Sequence, residues 1–207
     1  MSPKPCVGVL LAGGAARRFG GWPKGLAELG GTRIADRALA ALRGATDRQV
    51  VVANDPRASR WFPGERVVAD EGPGLGPLGG LASALDAADG AAALVVAWDM
   101  PFVPASLLRE LRRRGEAGAS AVVPVHGVHR WAEPLCAWYG PGALETCRAL
   151  LAAGARRAGA LFDALPGTGT MGDSDLATYG DPARFFTSVD TPELLAALGG
   201  ILGRSAD

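Results

Sequence analysis

The chain has little of what most cysteine- and histidine-based sites need. Its three cysteines, Cys6, Cys136 and Cys147, are widely spaced and form no CxxC pair. This pattern predicts neither a disulfide framework nor a zinc cluster, and it fits a cytoplasmic protein. The two histidines, His126 and His129, have no neighbours in sequence that would complete a metal set or a Ser-His-Asp arrangement. We therefore expect neither histidine to bind a metal or to act in catalysis.

The chain also lacks an excess of either charge and any long apolar run. Twenty-one basic and 21 acidic side chains give a formal net charge of zero. Because binders of nucleic acids and of membrane surfaces use a strongly basic face, this balance argues against both kinds of partner. The apolar stretch near the N-terminus spans about eight residues, which is too short for a signal peptide or a bilayer-spanning helix.

Lysine is nearly absent. Only Lys4 and Lys24 occur among the 21 basic residues, and the abundance of arginine and glycine indicates a GC-rich coding bias. A lysine retained in such a chain suggests that its compact point charge is needed, as in a cramped phosphate site. Since Lys4 lies near the N-terminus, Lys24 is the candidate.

What the sequence does contain is typical of a globular α/β protein. Of its 207 residues, 48% are hydrophobic and 20% are charged, and this size predicts one domain over residues 1–207. Short apolar runs alternate with amphipathic segments, which predicts a mostly parallel sheet with helices on both faces. The predicted strands are Cys6–Leu11, Gln49–Ala53, Arg66–Ala69, Ala93–Ala97, Ala119–Val123, Leu135–Tyr139 and Phe185–Val189. The predicted helices are Thr32–Arg43, Leu78–Ala88, Ser106–Arg114, Gly142–Ala153, Ala158–Leu165 and Pro192–Leu202, with a looser stretch over Gly167–Asp181.

The segments that follow the strands carry the functional candidates, because ligands of such sheets bind beyond the carboxyl ends of the strands. The first segment, residues 11–25, combines several glycines with Arg17, Arg18 and Lys24. Backbone N–H groups and positive charge in one loop are what a polyphosphate requires, although a solvated basic loop has the same composition. The segment is not a Walker loop, because Gly25 follows the lysine where serine or threonine should stand.

A second glycine-rich segment contains a GxGxxG pattern formed by Gly74, Gly76 and Gly79. It lies between a predicted strand and a predicted helix, which is the context of a dinucleotide-binding fingerprint. Pro77 interrupts the pattern, however, and a dinucleotide site leaves residues 11–25 unexplained. The glycines could instead let the backbone approach a base or ribose, or form a simple turn.

Three aspartates follow predicted strands. Asp99 ends the most apolar strand, where a carboxylate close to phosphate donors is a natural ligand for Mg²⁺, with helix capping as the alternative. Asp190 could be a second carboxylate, although the sequence Asp-Thr-Pro-Glu is also a good helix start. Asp70 could contact sugar or phosphate, or initiate the glycine-rich turn.

Five ordered segments resemble nucleotidyltransferases of the glycosyltransferase-A-like fold, and most closely the molybdenum cofactor guanylyltransferases. They are LAGGAARRFGGWPKGLAELGG at 11–31, GPLGG at 76–80, WDMPFVP at 98–104, EPLCAWY at 133–139 and SVDTPELLAAL at 188–198. The resemblance covers nearly the whole chain. It implies a Rossmann-like α/β sheet of the nucleotide-diphospho-sugar transferase type, in agreement with the order of predicted elements.

The resemblance also implies roles for individual residues. The implied nucleotide-binding residues are Leu11, Ala12, Gly13, Gly14, Lys24, Asn54, Asp70, Gly76 and Asp99, of which Asn54 matches only loosely. Lys24 with Arg17 or Arg18 would neutralise phosphate charge, and Asp99 with Asp190 would hold Mg²⁺. Lys24, Arg17, Arg18 and Asp99 are thus the expected catalytic residues. Pro23 and Phe19 replace the Asp and Met common in the family, but neither change removes a phosphate or metal ligand, so we expect activity to survive.

The implied reaction is transfer of GMP from GTP to the terminal phosphate of molybdopterin carrying molybdenum, with release of pyrophosphate. The implied partners are GTP, the molybdopterin acceptor, and molybdoenzymes or their chaperones. The alternatives are a cytidylyltransferase for the same cofactor, a sugar- or alcohol-phosphate nucleotidyltransferase, an NAD-dependent oxidoreductase, and a catalytically silent binding module. The residues Ala12-Gly13-Gly14 and the GPLGG loop favour GTP, because the cytidylyl branch tends to have Ala-Ala-Gly and to lack such a loop.

Overall fold

The computed structural model describes residues 5–13, 21–70 and 74–204, with residues 200–204 described by their backbone alone. Within these ranges the strands are β1 Cys6–Leu11, β2 Glu28–Leu29, β3 Thr32–Arg33, β4 Arg48–Val52, β5 Arg66–Val68, β6 Ala92–Ala97, β7 Ala121–His126, β8 Trp131–Ala132, β9 Cys136–Tyr139 and β10 Gly169–Met171. The helices are α1 Ile34–Arg43, α2 Ala58–Trp61, α3 Gly76–Ala87, α4 Ala105–Glu116, α5 Ala143–Ala152, α6 Gly159–Ala164, α7 Asp173–Leu176, α8 Pro182–Phe185 and α9 Pro192–Arg204. Two 3₁₀ turns cover Lys24–Leu26 and Ala177–Tyr179.

The main sheet runs in the order β5-β4-β1-β6-β9-β7-β10, with β8 paired to β7. The central strand β1 is parallel to β4 and to β6, and β4 is parallel to β5. Strand β9 is antiparallel to both of its neighbours, β6 and β7. The sheet is therefore mostly parallel, as predicted, with a reversal at β9.

Both faces of the sheet are covered, because the alternate side chains of the central strands enter two separate cores. On one face Cys6 and Leu10 of β1 pack with the apolar sides of α1 and α4. On the other face Val7 and Val9 pack with α3, α5 and α6. A strand buried on both faces reads as a continuous apolar run, which is why β1 and β6 were predictable from the sequence.

The predicted elements agree with the structure except in the C-terminal region and near residue 30. The expected strand Phe185–Val189 is wrong: Phe185 ends helix α8, and the residues that follow form no strand. These residues are apolar because their side chains are buried: Phe185 and Phe186 lie in the core on one face of the sheet, and Val189 lies in a small separate cluster with Leu29 and Ile34. The stretch Gly167–Asp181 contains β10 and α7.

The helix predicted over Thr32–Arg43 begins at Ile34, two residues later than expected, because Thr32 and Arg33 form β3 and pair with β2 in a hairpin. Gly30 and Gly31 connect the two strands with φ values of 61° and 73°. Two successive residues with positive φ are what the tight two-residue hairpin turn requires, and glycine adopts them without strain. No helix in the described part of the chain is long and apolar enough to cross a membrane.

Candidate active site

A cleft of about 1190 Å³ opens at the carboxyl ends of the central strands. It forms there because Leu11 at the end of β1 is paired in register with Val52 of β4 and with Ala97 of β6. The residues lining it include the predicted Leu11, Ala12, Gly13, Lys24, Asn54, Asp70, Gly76 and Asp99, together with Trp61, Trp98, Leu135 and Ser188. The structure therefore brings most of the predicted site residues to one cleft.

Asp99 lies in the turn after β6 and is only 8% exposed. Its Oδ2 accepts hydrogen bonds from Lys24 Nζ at 2.5 Å and from Ser188 Oγ at 2.6 Å. Its backbone carbonyl accepts a hydrogen bond from the Val189 amide at 3.0 Å. The side chain is thus fixed by the N-terminal loop and by the segment before α9, and the structure does not use it as a simple helix cap.

Lys24 donates to Asp99 and also to Asp190 Oδ1. Burial lowers the pKa of the Lys24 ammonium, but the two carboxylates outweigh burial and the pKa is raised. The side chain is therefore held charged at the floor of the cleft, which is the state required for contact with an anion.

The position of Lys24 depends on its neighbour Gly25. A Cβ atom at residue 25 would lie 2.3 Å from the indole ring of Trp98, so only glycine lets the 3₁₀ turn approach this ring. Trp98 in turn stacks on Trp61, with 6.5 Å between ring centroids. The glycine after the lysine, which excluded a Walker loop at the level of sequence, has this packing role.

Asp190 follows an irregular segment and precedes α9. Because Asp99 and Asp190 both contact Lys24 Nζ, their carboxylates converge on one small volume. Mg²⁺ binds one or two carboxylates and completes its shell with water and phosphate oxygens, so this pair fits such an ion when the Lys24 ammonium, which contacts both carboxylates here, moves aside. No set of three or more His, Cys, Asp and Glu side chains converges as a metal site among the described residues.

The opposite part of the cleft is built from β1, β4, β5 and α3. Asp70 after β5 is held at two points: its amide donates to Asn54 Oδ1 at 2.9 Å, and its Oδ1 accepts from Ser83 Oγ of α3 at 2.8 Å. Gly76 begins α3 with φ +69°, and a Cβ there would lie 3.0 Å from the Arg156 carbonyl oxygen. Asn54, which matched the family only loosely, therefore lies in direct contact with Asp70. We call Leu11–Gly13, Asn54, Asp70 and Gly76 the glycine-rich wall.

Three predicted residues lie outside the described part of the chain, and three residues of the site were not predicted. Gly14, Arg17 and Arg18 lie outside the described residues. Ser188 was not predicted to contact Asp99, although the SVDTPE segment already placed it two residues before Asp190. Trp61 and Trp98 were not among the predicted site residues, yet both line the cleft. The tryptophan directly before the strand-end aspartate was the available signal.

Comparison with solved structures defines the class of protein. The structure is similar to molybdopterin-guanine dinucleotide biosynthesis protein A from Archaeoglobus fulgidus, with a TM-score of 0.79, 24% identity, and coverage of 96% of this chain and 99% of that chain. It is also similar to 4-diphosphocytidyl-2C-methyl-D-erythritol synthase from Anaerococcus prevotii, with a TM-score of 0.72, 13% identity, and coverage of 98% and 97%. The fold is that of nucleotidyltransferases of the nucleotide-diphospho-sugar transferase type.

Sequence comparison then gives the family. Residues 8–168 match the family model of the MobA-like NTP transferase domain. A Chloroflexus aggregans protein named "Probable molybdenum cofactor guanylyltransferase" is 36% identical over 199 residues, which are 95% of this chain and 94% of that protein. The chain belongs to the MobA-like NTP transferase family and is a nucleotidyltransferase. The oxidoreductase interpretation of Gly74–Gly79 is therefore wrong.

Proposed function

We propose that this protein transfers GMP from GTP to the terminal phosphate of molybdopterin carrying molybdenum. An oxygen of the acceptor phosphate attacks the α-phosphorus of GTP, and the bond from that phosphorus to the bridging oxygen breaks. Pyrophosphate leaves with the electron pair of this bond. The product is the molybdopterin guanine dinucleotide.

The observation that carries this proposal is the cluster of Lys24, Asp99 and Asp190 beside the glycine-rich wall. An acceptor phosphate is already a nucleophile, so the reaction needs no strong general base. It needs two anions held in line and their charge neutralised, so positioning and electrostatics dominate catalysis. A lysine held charged beside a pair of carboxylates that would hold a divalent cation suits this task better than acid-base chemistry.

Each part of the cleft has a role in the proposal. In this proposal the backbone of Leu11, Ala12 and Gly13 binds the nucleotide, together with Gly14, which is outside the described residues. Asn54, Asp70 and Gly76 contact the base and ribose. Lys24, with Arg17 or Arg18, binds the phosphates. Asp99 and Asp190 would hold Mg²⁺, which when bound supplies positive charge to the α-phosphate and to the leaving pyrophosphate. Ser188 keeps the Asp99 carboxylate oriented through its 2.6 Å hydrogen bond.

The choice of GTP rests on Ala12-Gly13-Gly14 and on the GPLGG sequence, which becomes the first turn of α3. The choice of acceptor rests on the name of the Chloroflexus aggregans relative. The competing proposal is a different nucleotidyltransferase, acting with CTP or on a sugar or alcohol phosphate. A cytoplasmic location and contacts with molybdoenzymes or their chaperones stay predictions.

The test compares thermal stabilisation by GTP, CTP and ATP in the presence of Mg²⁺, followed by an assay of pyrophosphate release with the molybdenum-loaded acceptor. We expect the largest rise in melting temperature with GTP, because a ligand stabilises the state to which it binds. We also expect pyrophosphate release that depends on both GTP and acceptor. Stronger stabilisation by CTP would contradict the guanylyl assignment, and turnover with a sugar phosphate alone would contradict the acceptor.

A further inference from the structure

A histidine–glutamate pair lies beside the cleft and has no role in the proposal above. His126 ends β7 and Glu133 follows β8, and His126 Nε2 lies 2.8 Å from Glu133 Oε1. Both side chains are largely buried, with 20% of each exposed. The Glu133 amide donates to the Pro124 carbonyl oxygen at 3.0 Å, so its backbone continues the pairing between β8 and β7.

The pair shares one face of the β7–β8 ribbon with Trp131. His126 is the cross-strand partner of Trp131, and Glu133 lies two residues further along the chain. Cross-strand partners and residues two apart along a strand point to the same side of a ribbon. Trp131 is 63% exposed, and His129 contacts its ring edge-on at 6.1 Å between centroids, so part of the indole surface is accessible to a ligand. The face thus combines a carboxylate and an accessible aromatic ring.

This face is connected to Asp99 by two routes. Leu135, two residues after Glu133, lines the cleft, and its carbonyl accepts from the Ala97 amide at 2.8 Å. His126 stacks on Phe186 at 4.7 Å between ring centroids, and Phe186 lies two residues before Ser188, which binds Asp99. In the sheet order, β7 lies beyond β6 on the side away from β4 and β5. The face is therefore on the side of Asp99 opposite the glycine-rich wall.

The charged form of the Glu133 carboxyl is destabilised by its surroundings, which is unexpected for a residue that only closes a hairpin. Burial raises the pKa of its carboxyl, His126 opposes the increase, and the negative charge of Asp99 adds to it. Placing a carboxylate near another one destabilises its charged form. A neutral side chain could complete a ribbon in which β8 has only two residues without this cost.

We propose that Glu133 and Trp131 form a subsite for the heterocycle of the acceptor, and that this heterocycle presents two adjacent N–H donors, as the 2-amino-pyrimidinone edge of a pterin does. The carboxylate accepts from the ring N–H and from the exocyclic amine, and the ring system stacks on the indole. His126 is a positioning residue that binds Oε1 on one side, so that Oε2 and the second lone pair of Oε1 accept from the two ligand donors. The subsite rests on the proposed function, because its ligand is the acceptor named there.

The test uses two free probes, pterin and its 2,4-dioxo analogue lumazine, whose binding is followed by the fluorescence anisotropy of each probe. Lumazine has an oxygen in place of the amine and would face the Glu133 carboxylate with an acceptor. We expect wild-type protein to bind pterin at least about tenfold more tightly, since an unmatched buried polar contact costs a factor of this order. Equal binding of the two probes would overturn the proposal.

Two variants separate the contributions of the two side chains. Glu133→Gln removes the charge and can donate as well as accept, so we expect it to abolish the preference for pterin. Trp131→Ala removes the stacking surface, so we expect both probes to bind about tenfold more weakly with the preference intact. The matched controls are Glu145→Gln on α5 and Val128→Ala, which is 94% exposed, and neither should change binding. If Glu133→Gln fails to fold, the proposal is tested by the preference of wild-type protein for pterin and by the weaker binding of both probes to Trp131→Ala.

The same variants distinguish this proposal from the proposed function. In the turnover assay we expect both to raise the KM for the acceptor while leaving the KM for GTP unchanged, which a general loss of structure would not do. Normal acceptor KM in both variants would overturn the subsite and leave the function standing. Pterin binding without transfer of GMP by wild-type protein would overturn the function and leave the subsite standing.

Discussion

At the scale of single residues, the Asp99 side chain connects two distant parts of the chain at the cleft. It receives hydrogen bonds from Lys24 and Ser188, which are 75 and 89 positions away in sequence. Both hydrogen bonds are accepted by the same oxygen, Oδ2. Asparagine has nearly the same size as aspartate and keeps one acceptor oxygen, but it has no charge. Shape and charge at this position can therefore be separated by substitution.

We predict that Asp99→Asn leaves the protein folded and lowers the rate of pyrophosphate release by at least about 100-fold, because the carboxylate that would hold Mg²⁺ loses its charge. The measurement is the initial rate at saturating GTP, with circular dichroism to check folding. Asp86→Asn is the control, because Asp86 is an exposed aspartate paired with Arg148 on the protein surface. Undiminished turnover in Asp99→Asn would exclude a role in the reaction.

A pH dependence follows from Glu133. Its pKa is raised from 4.5, mainly by burial, so the folded state binds this proton more tightly than the unfolded state does. The protonated carboxyl therefore adds stability that is complete below about pH 4.5 and is lost as the pH rises through the raised pKa. We predict that wild-type protein gains stability relative to Glu133→Gln as the pH falls from 7 towards 4.5.

The measurement for this prediction is the free energy of unfolding in urea for both proteins across that pH range. Glu145→Gln, whose side chain is exposed on α5, provides the baseline for loss of a surface carboxylate. A difference between wild type and Glu133→Gln that grows with rising pH would contradict the burial argument.

At the scale of elements, the 3₁₀ turn Lys24–Leu26 is positioned by contact with Trp98 rather than by a helix cap. No side chain caps the N-terminus of this turn, and Gly25 lies against the indole ring of Trp98. The turn then leads through β2 and β3 into α1. The placement of Lys24 thus depends on a backbone–ring contact that a single methyl group would disturb.

We predict that Gly25→Ala reduces turnover by about 100-fold, because the new Cβ, 2.3 Å from the Trp98 ring, must displace the turn and with it Lys24. The expected loss of stability is about 1–3 kcal/mol, as for other overpacked positions. Both are measured against Gly142→Ala, where no atom lies within 4 Å of the added Cβ. Equal activity in the two variants would show that the contact does not position the lysine.

At the scale of the whole molecule, the two cores enclose all three cysteines. Cys6, Cys136 and Cys147 are free and buried. Burial raises the pKa of Cys6 to about 12 and that of Cys147 to about 11, and it raises the pKa of Cys136 as well. Since the thiolate is the reactive form, none of the three should react in the folded protein at neutral pH.

We predict that a thiol reagent such as an aromatic disulfide labels no cysteine of the native protein within minutes at pH 7.5, and labels all three after unfolding in urea. The labelling rate at intermediate urea should follow the global unfolding equilibrium, because the three thiols lie in both faces of the sheet. Rapid labelling of one thiol under native conditions would indicate local opening around it.

The sequence predicted the parts of the fold that are determined by local pattern. Strands β1 and β6 are buried on both faces and give continuous apolar runs, and α1 and α4 have clear apolar stripes. The segment Phe185–Val189 misled the prediction, because its buried side chains belong to a loop held by tertiary contacts. The prediction of a single domain over residues 1–207 stays a prediction.

The candidate site was predictable in its composition but not in its connections. Lys24 and Asp99 follow strands β1 and β6, and the strand order places them at the same edge. Their pairing with Ser188 and Asp190 depends on how the C-terminal segment returns to the sheet, which no local pattern records. The approach of Gly25 to Trp98 likewise depends on packing between two loops.

The long separation in sequence between Lys24 and Asp190 also has a consequence during synthesis. Lys24 leaves the ribosome 166 residues before Asp190, and the hydrogen bond between them closes nearly the whole chain into a loop. The glycine-rich wall also needs Ser83, which holds Asp70, and Arg156, whose carbonyl lies beside Gly76, but both residues precede Asp190 in the chain. A nascent chain should therefore acquire a surface for the nucleotide before it acquires the second carboxylate. Catalytic competence becomes one of the last properties that the growing polypeptide gains.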